Sequence, residues 1–288
     1  KYITFSENDS IFDKILENKV EYLSDKEIAQ GVVPNPDVVN SRNCKYLDYG
    51  EDHIGEGVFV VDRDKFANLS KKEKKYVKPL YEPYLMSPYS LKDYDKEILY
   101  ITKANWQNDA PTLLKHLSKY REIMEQRREN QNGRLNYMHL HWPREEKYFE
   151  EGEKILSVRK CVSRPVFVYT DIEAYVMMSV NVIKSPRWNM KFLTGLLNSK
   201  LVKYWLKYKG KMQGTNFQVD KEPLQEIPII KPSKEKQEIV ARLVDFIIEI
   251  KQNPDERFDK YSDNDFVLMK IEDIINALVF EMYFKKVY

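Results

Sequence analysis

The sequence is poor in the features of a secreted or membrane protein. Its 288 residues include only two cysteines, Cys44 and Cys161. Two cysteines are too few for a disulfide framework, and they fit a reducing cytoplasm. No apolar run reaches the roughly 20 residues that a membrane-spanning helix needs, and no signal peptide is visible. We therefore expect a cytoplasmic protein without a membrane partner.

Signatures of nucleotide binding and of nucleophilic catalysis are also missing. Gly55 and Gly57 form a G-x-G pair, but no third glycine follows at the spacing of a dinucleotide-binding loop. The sequence has neither a nucleophile elbow nor a lysine-containing phosphate loop. His139 and His141 could share a metal ion if they lay on one face of a strand, although only two glutamates nearby could complete the site. No catalytic constellation follows, and a metal-dependent nuclease at these histidines is kept as an alternative.

One long stretch lacks acidic residues altogether. Between Glu173 and Asp220 the chain has no aspartate or glutamate, whereas its basic residues there are Lys184, Arg187, Lys191, Lys200, Lys203, Lys207, Lys209 and Lys211. A basic surface close to amides and aromatic residues is typical of binding to a polyanion such as DNA. A solvated lysine face over a core helix would give the same pattern. Because the net charge is only +2, any such affinity depends on local clustering.

The basic stretch is predicted to contain an amphipathic helix. Leucines and tyrosines from Leu193 to Tyr208 recur with a period of 3.6 residues, and Asn189 is a suitable N-cap. Glycines then end this helix and open a basic loop over Lys209–Gln218. The run Leu224–Ile230 is predicted to be extended, because Pro223 just before it and Pro228 within it exclude a helix.

Strand and helix patterns in the remaining chain predict an α+β fold. Further strands are predicted at Gly57–Asp62, Glu97–Thr102, Leu135–Arg144, Lys154–Val158, Val166–Tyr169 and Tyr175–Ile183. Helices are predicted over Ser70–Tyr76, from Pro111 to near Asn130, after Ser233, and over the segment that contains Val267 and Met282, with a polar break at Asn253–Asp265. We expect a mixed, β-rich region over residues 1–185, with an inserted helix near 110–130, followed by a helical region over residues 186–288.

Side chains suited to DNA contact are numerous. Arginine can bind guanine with two hydrogen bonds, asparagine and glutamine can bind adenine, and lysine and arginine bind phosphate. Each such residue alone is more often an ordinary surface residue. The candidate DNA-binding residues are Arg134, Asn136, His139, Arg144, Arg159, Lys160, Arg164, Arg187, Lys200, Lys203, Lys207, Lys209, Lys211, Gln213 and Asn216.

Several segments together resemble one known family. KFLTGLLNSKLVKYWLKYKGKMQGTNFQV, followed by PLQEIPI, resembles the TaqI-like C-terminal specificity domain of DNA methyltransferases and fused restriction-modification enzymes. Its helical LLNS, Gly/Lys loop and L-x-x-I-P-I elements are matched by Leu196–Ser199, Lys209–Gly214 and Leu224–Ile229. Weaker similarity extends to Ala29–Val33, HLHWPR at His139–Arg144, Lys154–Ile155 and the closing helix Ile275–Phe284.

The resemblance implies a target recognition region that binds double-stranded DNA. Its parent would carry an N-terminal methyltransferase domain that uses S-adenosylmethionine and, in some members, a nuclease domain that uses Mg²⁺. The adenine-methylating tetrapeptide NPPY is absent from the 288 residues, so we expect this chain to be no enzyme and to bind no cofactor itself. The start at Lys1 without methionine also indicates a piece of a longer protein.

Two other classes of function stay open as alternatives. The first is the metal-dependent nuclease domain at His139 and His141. The second is the specificity subunit of a type I restriction system, which would bind a partner subunit through its C-terminal helices. Such subunits usually carry two recognition regions and long paired helices, whereas this sequence shows one recognition region.

Overall fold

A computed structural model describes the backbone of residues 6–253 and 262–284, and the side chains of residues 10–253 and 264–284. Most of the predicted polar break at Asn253–Asp265 lies outside these residues. In the described part, the order is that of an α+β protein, with small sheets and short helices first and two long helices last. The predicted fold class is therefore confirmed, while the division at residue 185 stays a prediction.

The secondary structure is defined as follows. The helices of the described ranges are α1 (Ser6–Leu16), α2 (Lys71–Lys74), α3 (Pro111–Ser118), α4 (Arg121–Glu125), α5 (Arg128–Gln131), α6 (Met190–Leu197), α7 (Lys200–Tyr208), α8 (Lys221–Gln225), α9 (Lys234–Gln252) and α10 (Ser262–Tyr283). The strands of the same ranges are β1 (Val20–Glu21), β2 (Ile28–Gln30), β3 (Val60–Asp62), β4 (Val77–Tyr81), β5 (Met86–Ser87), β6 (Ser90–Leu91), β7 (Lys96–Leu99), β8 (Lys154–Val158), β9 (Lys160–Cys161), β10 (Phe167–Thr170), β11 (Tyr175–Val176), β12 (Val180–Ile183), β13 (Lys211–Gln213), β14 (Asn216–Gln218) and β15 (Ile229–Ile230).

The strands form two four-stranded sheets and several smaller ones. The first large sheet has the antiparallel order β10-β8-β12-β2, and every residue of β8 and β12 is buried. The second has the order β11-β4-β7-β3, in which β11 and β4 are parallel. A three-stranded sheet, β13-β14-β9, brings the segment after α7 against the strand that follows β8. Strands distant in sequence thus share one core.

A fully buried lysine lies within the first sheet. Lys154 donates hydrogen bonds from Nζ to the carbonyl oxygens of Gly152 at 2.9 Å and Ile172 at 2.6 Å. Burial lowers the pKa of its ammonium group to about 8, because a low-dielectric interior disfavours the charged form. The predicted strand Lys154–Val158 is confirmed with the same bounds.

Asn198 and Ser199 explain why the predicted single helix is two helices. The Asn198 amide donates to the carbonyl oxygen of Phe167 at 2.8 Å and so binds the edge strand β10. Ser199 has extended backbone angles, and its hydroxyl accepts from the backbone N–H of Val202 as the N-cap of α7. A residue that caps one helix cannot continue the preceding one. The prediction of one continuous helix to Tyr208 was therefore wrong.

The predictions of two extended segments were also wrong. Leu135–Arg144 contains no strand, only a single bridge between Val33 and Trp142. The residues that alternate between polar and apolar in this segment form a series of turns and bends. Leu224–Ile230 begins inside α8 and becomes a strand only at β15. Pro223 lies in the first turn of α8, where a missing N–H costs nothing, so this proline does not exclude a helix.

Other predictions needed smaller corrections. The basic loop Lys209–Gln218 is mostly a hairpin of β13 and β14, and the helix from Pro111 to near Asn130 is divided into α3, α4 and α5. Tyr175–Ile183 is divided into β11 and β12. In each case a turn interrupts a pattern that is continuous in the sequence.

An ion-pair network around the buried Glu27 connects the start of the chain to the segment before α6. Arg187 donates from Nε to Glu27 Oε1 at 2.9 Å and from Nη2 to Glu27 Oε2 at 2.6 Å. Ser185 and Ser24 also donate hydrogen bonds to this carboxylate. Burial opposes ionisation of Glu27, but the hydrogen bonds outweigh it and lower the pKa of the carboxyl to about 2.

Replacement of Glu27 by glutamine should lower the free energy of unfolding at pH 7 by about 2–3 kcal/mol, because Arg187 loses its buried partner. The pKa of Glu27 is lower in the folded state than its ordinary value of 4.5, so its contribution is present above that value and is lost as the pH falls towards 2. The difference between the two proteins in urea denaturation should therefore shrink between pH 5 and pH 3. Glu281→Gln removes the exposed pair with Lys236 and serves as the control with a much smaller effect. An equal loss in both variants would contradict this assignment.

Candidate nucleic-acid interface

Five segments lie side by side along one part of the molecule, and two of them contain the short strands β9, β13 and β14. We call residues 31–36, 134–144, 159–161, 177–179 and 211–218 the loop row. Val33 and Trp142 exchange two backbone hydrogen bonds of 3.0 Å, and the N–H of Met178 donates to the carbonyl oxygen of Val32 at 3.1 Å. The N–H of Arg159 donates to the carbonyl oxygen of Ser179 at 2.9 Å. Pairing of β9 with β14 then connects the hairpin to the other segments.

Close approach of two segments within the loop row depends on Gly31. A β-carbon at this position would lie 2.1 Å from the carbonyl oxygen of Met177, which is far inside van der Waals contact. Only glycine allows the parallel bridge between Val32 and Met177 to form beside it. The glycine therefore determines how closely residues 31–36 and 177–179 approach.

Arg127 anchors the segment from residue 134 to 144. Its side chain is 7% exposed, and burial lowers the pKa of the guanidinium to about 10, so the group stays charged at neutral pH. No carboxylate in the described part of the chain forms an ion pair with it. Its hydrogen-bond acceptors are instead the Asn130 side chain and the carbonyl oxygens of Asn35, Met124, Asn136, Tyr137 and His139. One cation thus connects three segments of backbone.

The small sheet β13-β14-β9 presents exposed polar side chains at one end of the loop row. Lys160 in β9, Gln213 in β13 and Asn216 in β14 are exposed, and Gln213 pairs with Asn216 across the hairpin. Gln213 accepts a hydrogen bond from Gln218 at 2.9 Å through its amide oxygen, which leaves its amide nitrogen available. This sheet brings together predicted site residues that are about 50 positions apart in the sequence.

Three predicted arginines are held by acidic partners within the fold. Arg159 donates to Asp220 from Nε at 2.8 Å and Nη2 at 2.7 Å. Arg164 donates to both carboxylate oxygens of Glu272, at 3.2 and 3.0 Å, and so connects a loop to α10. Arg187 is bound by Glu27, as described above. These ion pairs involve partners between 61 and 160 residues away, which no local pattern reveals.

The lysines of the basic stretch are held less firmly than these arginines. Lys200 and Lys211 pair with Asp273 at 2.9 Å and Glu222 at 2.6 Å, and both lysines are more than half exposed. Exposed pairs of this kind are weak, so either lysine can exchange its partner for another anion. Lys203 and Lys207 are exposed on α7. The ammonium group of Lys209 lies 4.6 Å from the centroid of the Phe12 ring.

Arg144 and the two histidines lie in the segment from residue 134 to 144. Arg144 is exposed, and its guanidinium donates to Gln30 Oε1 at 3.2 Å and lies 5.9 Å from the centroid of the Trp142 ring. His139 is buried, and its Nδ1 accepts a hydrogen bond of 3.3 Å from the backbone N–H of Asn136. His141 lies 2.8 Å from Glu129 through Nε2.

The histidines have separate environments, which does not favour a nuclease centre. Burial lowers the pKa of His139, and the positive charges of Arg127 and Lys103 lower it further. His141 is instead paired with Glu129. Among the described residues, no three side chains of histidine, cysteine, aspartate or glutamate lie close enough to hold a metal ion. The alternative of a metal site at the two histidines therefore receives no support.

Three residues in or beside the loop row were not predicted from the sequence as site residues. Trp142 is 49% exposed and Met178 is 48% exposed, and both lie where the segments of the row meet. Arg127 lies within the helix predicted from Pro111 to near Asn130, and its side chain is buried. No sequence pattern shows that an arginine will donate hydrogen bonds to carbonyl groups of a later loop. Only the folded backbone therefore reveals that Arg127 anchors this segment.

The fold of this chain is similar to part of a solved restriction-modification enzyme. The solved structure of the type IIL restriction-modification enzyme MmeI in complex with DNA has a TM-score of 0.64 and 14% identity, covering 94% of this chain and 34% of MmeI. The type IIG restriction endonuclease BpuSI has a TM-score of 0.48 and 12% identity, covering 96% of this chain and 33% of BpuSI. The chain thus spans about a third of the length of these proteins.

Sequence comparison identifies the family. Residues 87–229 match the model of the TaqI-like C-terminal specificity domain. Over the matched region, the resemblance noted in the sequence is confirmed. No curated protein sequence matches the chain. No helix in the described ranges is long and apolar enough to cross a membrane.

Replacement of Arg127 by methionine should lower the free energy of unfolding by about 3–5 kcal/mol, because several buried carbonyl groups lose their donor. Amide hydrogen exchange should also accelerate in residues 134–144, which are held by this side chain. Urea denaturation and exchange measured by mass spectrometry check the two effects. Arg128→Met is the matched control, since Arg128 is the exposed neighbour. Unchanged exchange in residues 134–144 of the Arg127 variant would show that the segment is held by other contacts.

Proposed function

We propose that this specificity domain recognises a double-stranded DNA target through its loop row, on behalf of a restriction-modification DNA methyltransferase. Membership of the specificity-domain family supports target recognition as the function. The observation that carries the location is the sheet β13-β14-β9, whose exposed lysine and amide side chains stand at one end of the loop row. Amides can read base edges and a lysine can bind phosphate, so the sheet has both kinds of group that sequence reading needs.

The hairpin of β13 and β14 is the proposed reading element. A two-stranded ribbon fits the major groove of B-form DNA. Gly214 has a left-handed φ of 61° at the tip, and Gln213 and Asn216 flank the tip on opposite strands. Their amides would contact base edges, because amide donors and acceptors match the edge of adenine. Lys160, on the strand beside the hairpin, would contact the DNA backbone.

The remaining predicted residues fall into two groups, those available to contact phosphate and those that hold the loops in place. Lys203 and Lys207 are exposed on the helix that leads into the hairpin, and we assign them to phosphate contacts. Lys200, Lys209, Lys211 and Arg144 have weak or partial contacts that allow the same role. Arg159, Arg164 and Arg187 would act by holding the loops in place, because their guanidinium groups are bound by carboxylates.

Methyl transfer would belong to another domain of the parent protein. In the described residues, the parallel contacts are the short pair β4 and β11 and the bridge between Val32 and Met177. A mononucleotide-binding fold needs several parallel strands joined by helices, so these residues do not fit S-adenosylmethionine. An N-terminal methyltransferase domain would bind that cofactor, and a nuclease domain, where one is present, would bind Mg²⁺. This chain would then be no enzyme on its own.

Selection of bound duplexes from a randomised pool by the whole protein should return one preferred sequence. Replacement of Gln213 or Asn216 by alanine should reduce discrimination at one position of that sequence by about 1–3 kcal/mol, because a bidentate base contact is lost. Fluorescence anisotropy with the preferred duplex and its single-position variants gives the measurement. Gln225→Ala, in α8 outside the loop row, is the control. Selection that returns no preferred sequence would refute the proposed function.

Replacement of Lys160 by alanine should weaken binding to the preferred and to a scrambled duplex equally. It should also reduce the slope of log affinity against log salt by about 1, because one phosphate contact is lost. Lys72→Ala, an exposed lysine of α2 outside the loop row, is the control. A loss confined to the preferred duplex would instead indicate that Lys160 reads a base.

A further inference from the structure

A cleft of about 540 Å³ lies at the end of the loop row where residues 134–139 meet α4 and α5. Two of its lining residues, Lys103 and Arg134, are exposed and have no ion-pair partner among the described residues. The one acidic residue in its lining is Glu125, which is bound by Arg121 at 2.6 Å. The cleft is therefore electropositive.

The rest of the lining supplies neutral hydrogen-bonding groups. Side chains of Asn130, Gln131 and Asn136 belong to the wall. Asn130 is occupied by Arg127 at 2.8 Å, whereas Gln131 and Asn136 are exposed. Amide groups beside two lysine or arginine side chains are the donors that proteins use to hold the oxygens of a phosphate.

Two buried groups at this wall also favour an anion. Arg127 is a cation without a carboxylate partner, and it lies directly beneath residues 136–139 through its hydrogen bonds to their carbonyl oxygens. His139, which lines the cleft, is more than nine-tenths buried, and its Nε2 has no hydrogen-bond partner. Because Nδ1 accepts from the Asn136 N–H, the neutral ring carries its proton on Nε2. An unpaired buried donor beside a buried cation is stabilised by a nearby negative charge.

We propose that this cleft binds one phosphate group of the DNA backbone, with Lys103 and Arg134 as its charged ligands. The proposal rests on the proposed function and adds a contact at the end of the loop row remote from the hairpin. Lys103 lies 31 residues before Arg134 in the sequence and was not among the residues predicted to bind DNA. The contact would orient the domain on the duplex without reading bases, since phosphates carry no sequence information.

The test uses the whole protein with the preferred duplex and a scrambled duplex. Lys103→Ala and Arg134→Ala should each reduce the slope of log affinity against log salt by about 1, with the same loss of affinity for both duplexes. Both side chains are exposed, so the thermal unfolding of each variant should match that of the unaltered protein. Lys71→Ala, an exposed lysine of α2, is the control and should keep the full slope.

The outcomes separate this inference from the proposed function. If the protein prefers one sequence but both variants keep the full slope, the cleft does not bind DNA, and the reading role of the hairpin stands. If the protein prefers no sequence, the proposed function fails, and the slopes on scrambled DNA still decide whether the cleft holds a phosphate. Calorimetric titration with inorganic phosphate tests whether the cleft binds free phosphate instead of a phosphate group of DNA. Binding of free phosphate that is lost in Arg134→Ala, with unchanged slopes on DNA, would overturn the proposal.

Discussion

The burial of the Arg127 guanidinium is the constraint on which the loop row depends. A buried cation without a carboxylate is tolerated only where hydrogen bonds satisfy its donors. Here carbonyl groups of residues 35, 124, 136, 137 and 139 supply those acceptors. Apart from that of Met124 in α4, these carbonyl groups lie outside the helices and strands. Segments without regular secondary structure can therefore hold a defined shape, which is what a surface that reads DNA needs.

The residues that carry the family resemblance have structural roles. Asn198 binds the backbone of β10, and Ser199 caps α7, so the LLNS element connects a helix to a sheet edge. The L-x-x-I-P-I run ends in β15, which pairs with β1 near the start of the chain. These contacts connect elements of the fold. That explains why the motifs identify the family, while the residues proposed to read DNA lie in the hairpin between them.

The sequence predicted elements well where one local pattern decided the structure. Lys154–Val158 is a buried strand with many apolar residues, and Ser233 caps the long helix α9. Prediction failed where distant contacts decided. The alternation in Leu135–Arg144 imitates a strand, but Arg127 takes carbonyl groups that a neighbouring strand would have paired. Pro223 was read as a helix breaker, because its position in the first turn of α8 is not visible without the boundaries of that helix.

The amino-acid sequence by itself determined the fold class, the resemblance to a family and the presence of a basic stretch without acidic residues. These properties depend on composition and on the spacing of residues along the chain, both of which the sequence gives directly. Only the tertiary structure decided which basic groups are available to a ligand. Arg159, Arg164 and Arg187 are bound by carboxylates, whereas Lys160 and Arg134 are exposed. Charge is a property of the residue, but its availability depends on which distant acid the fold places beside it.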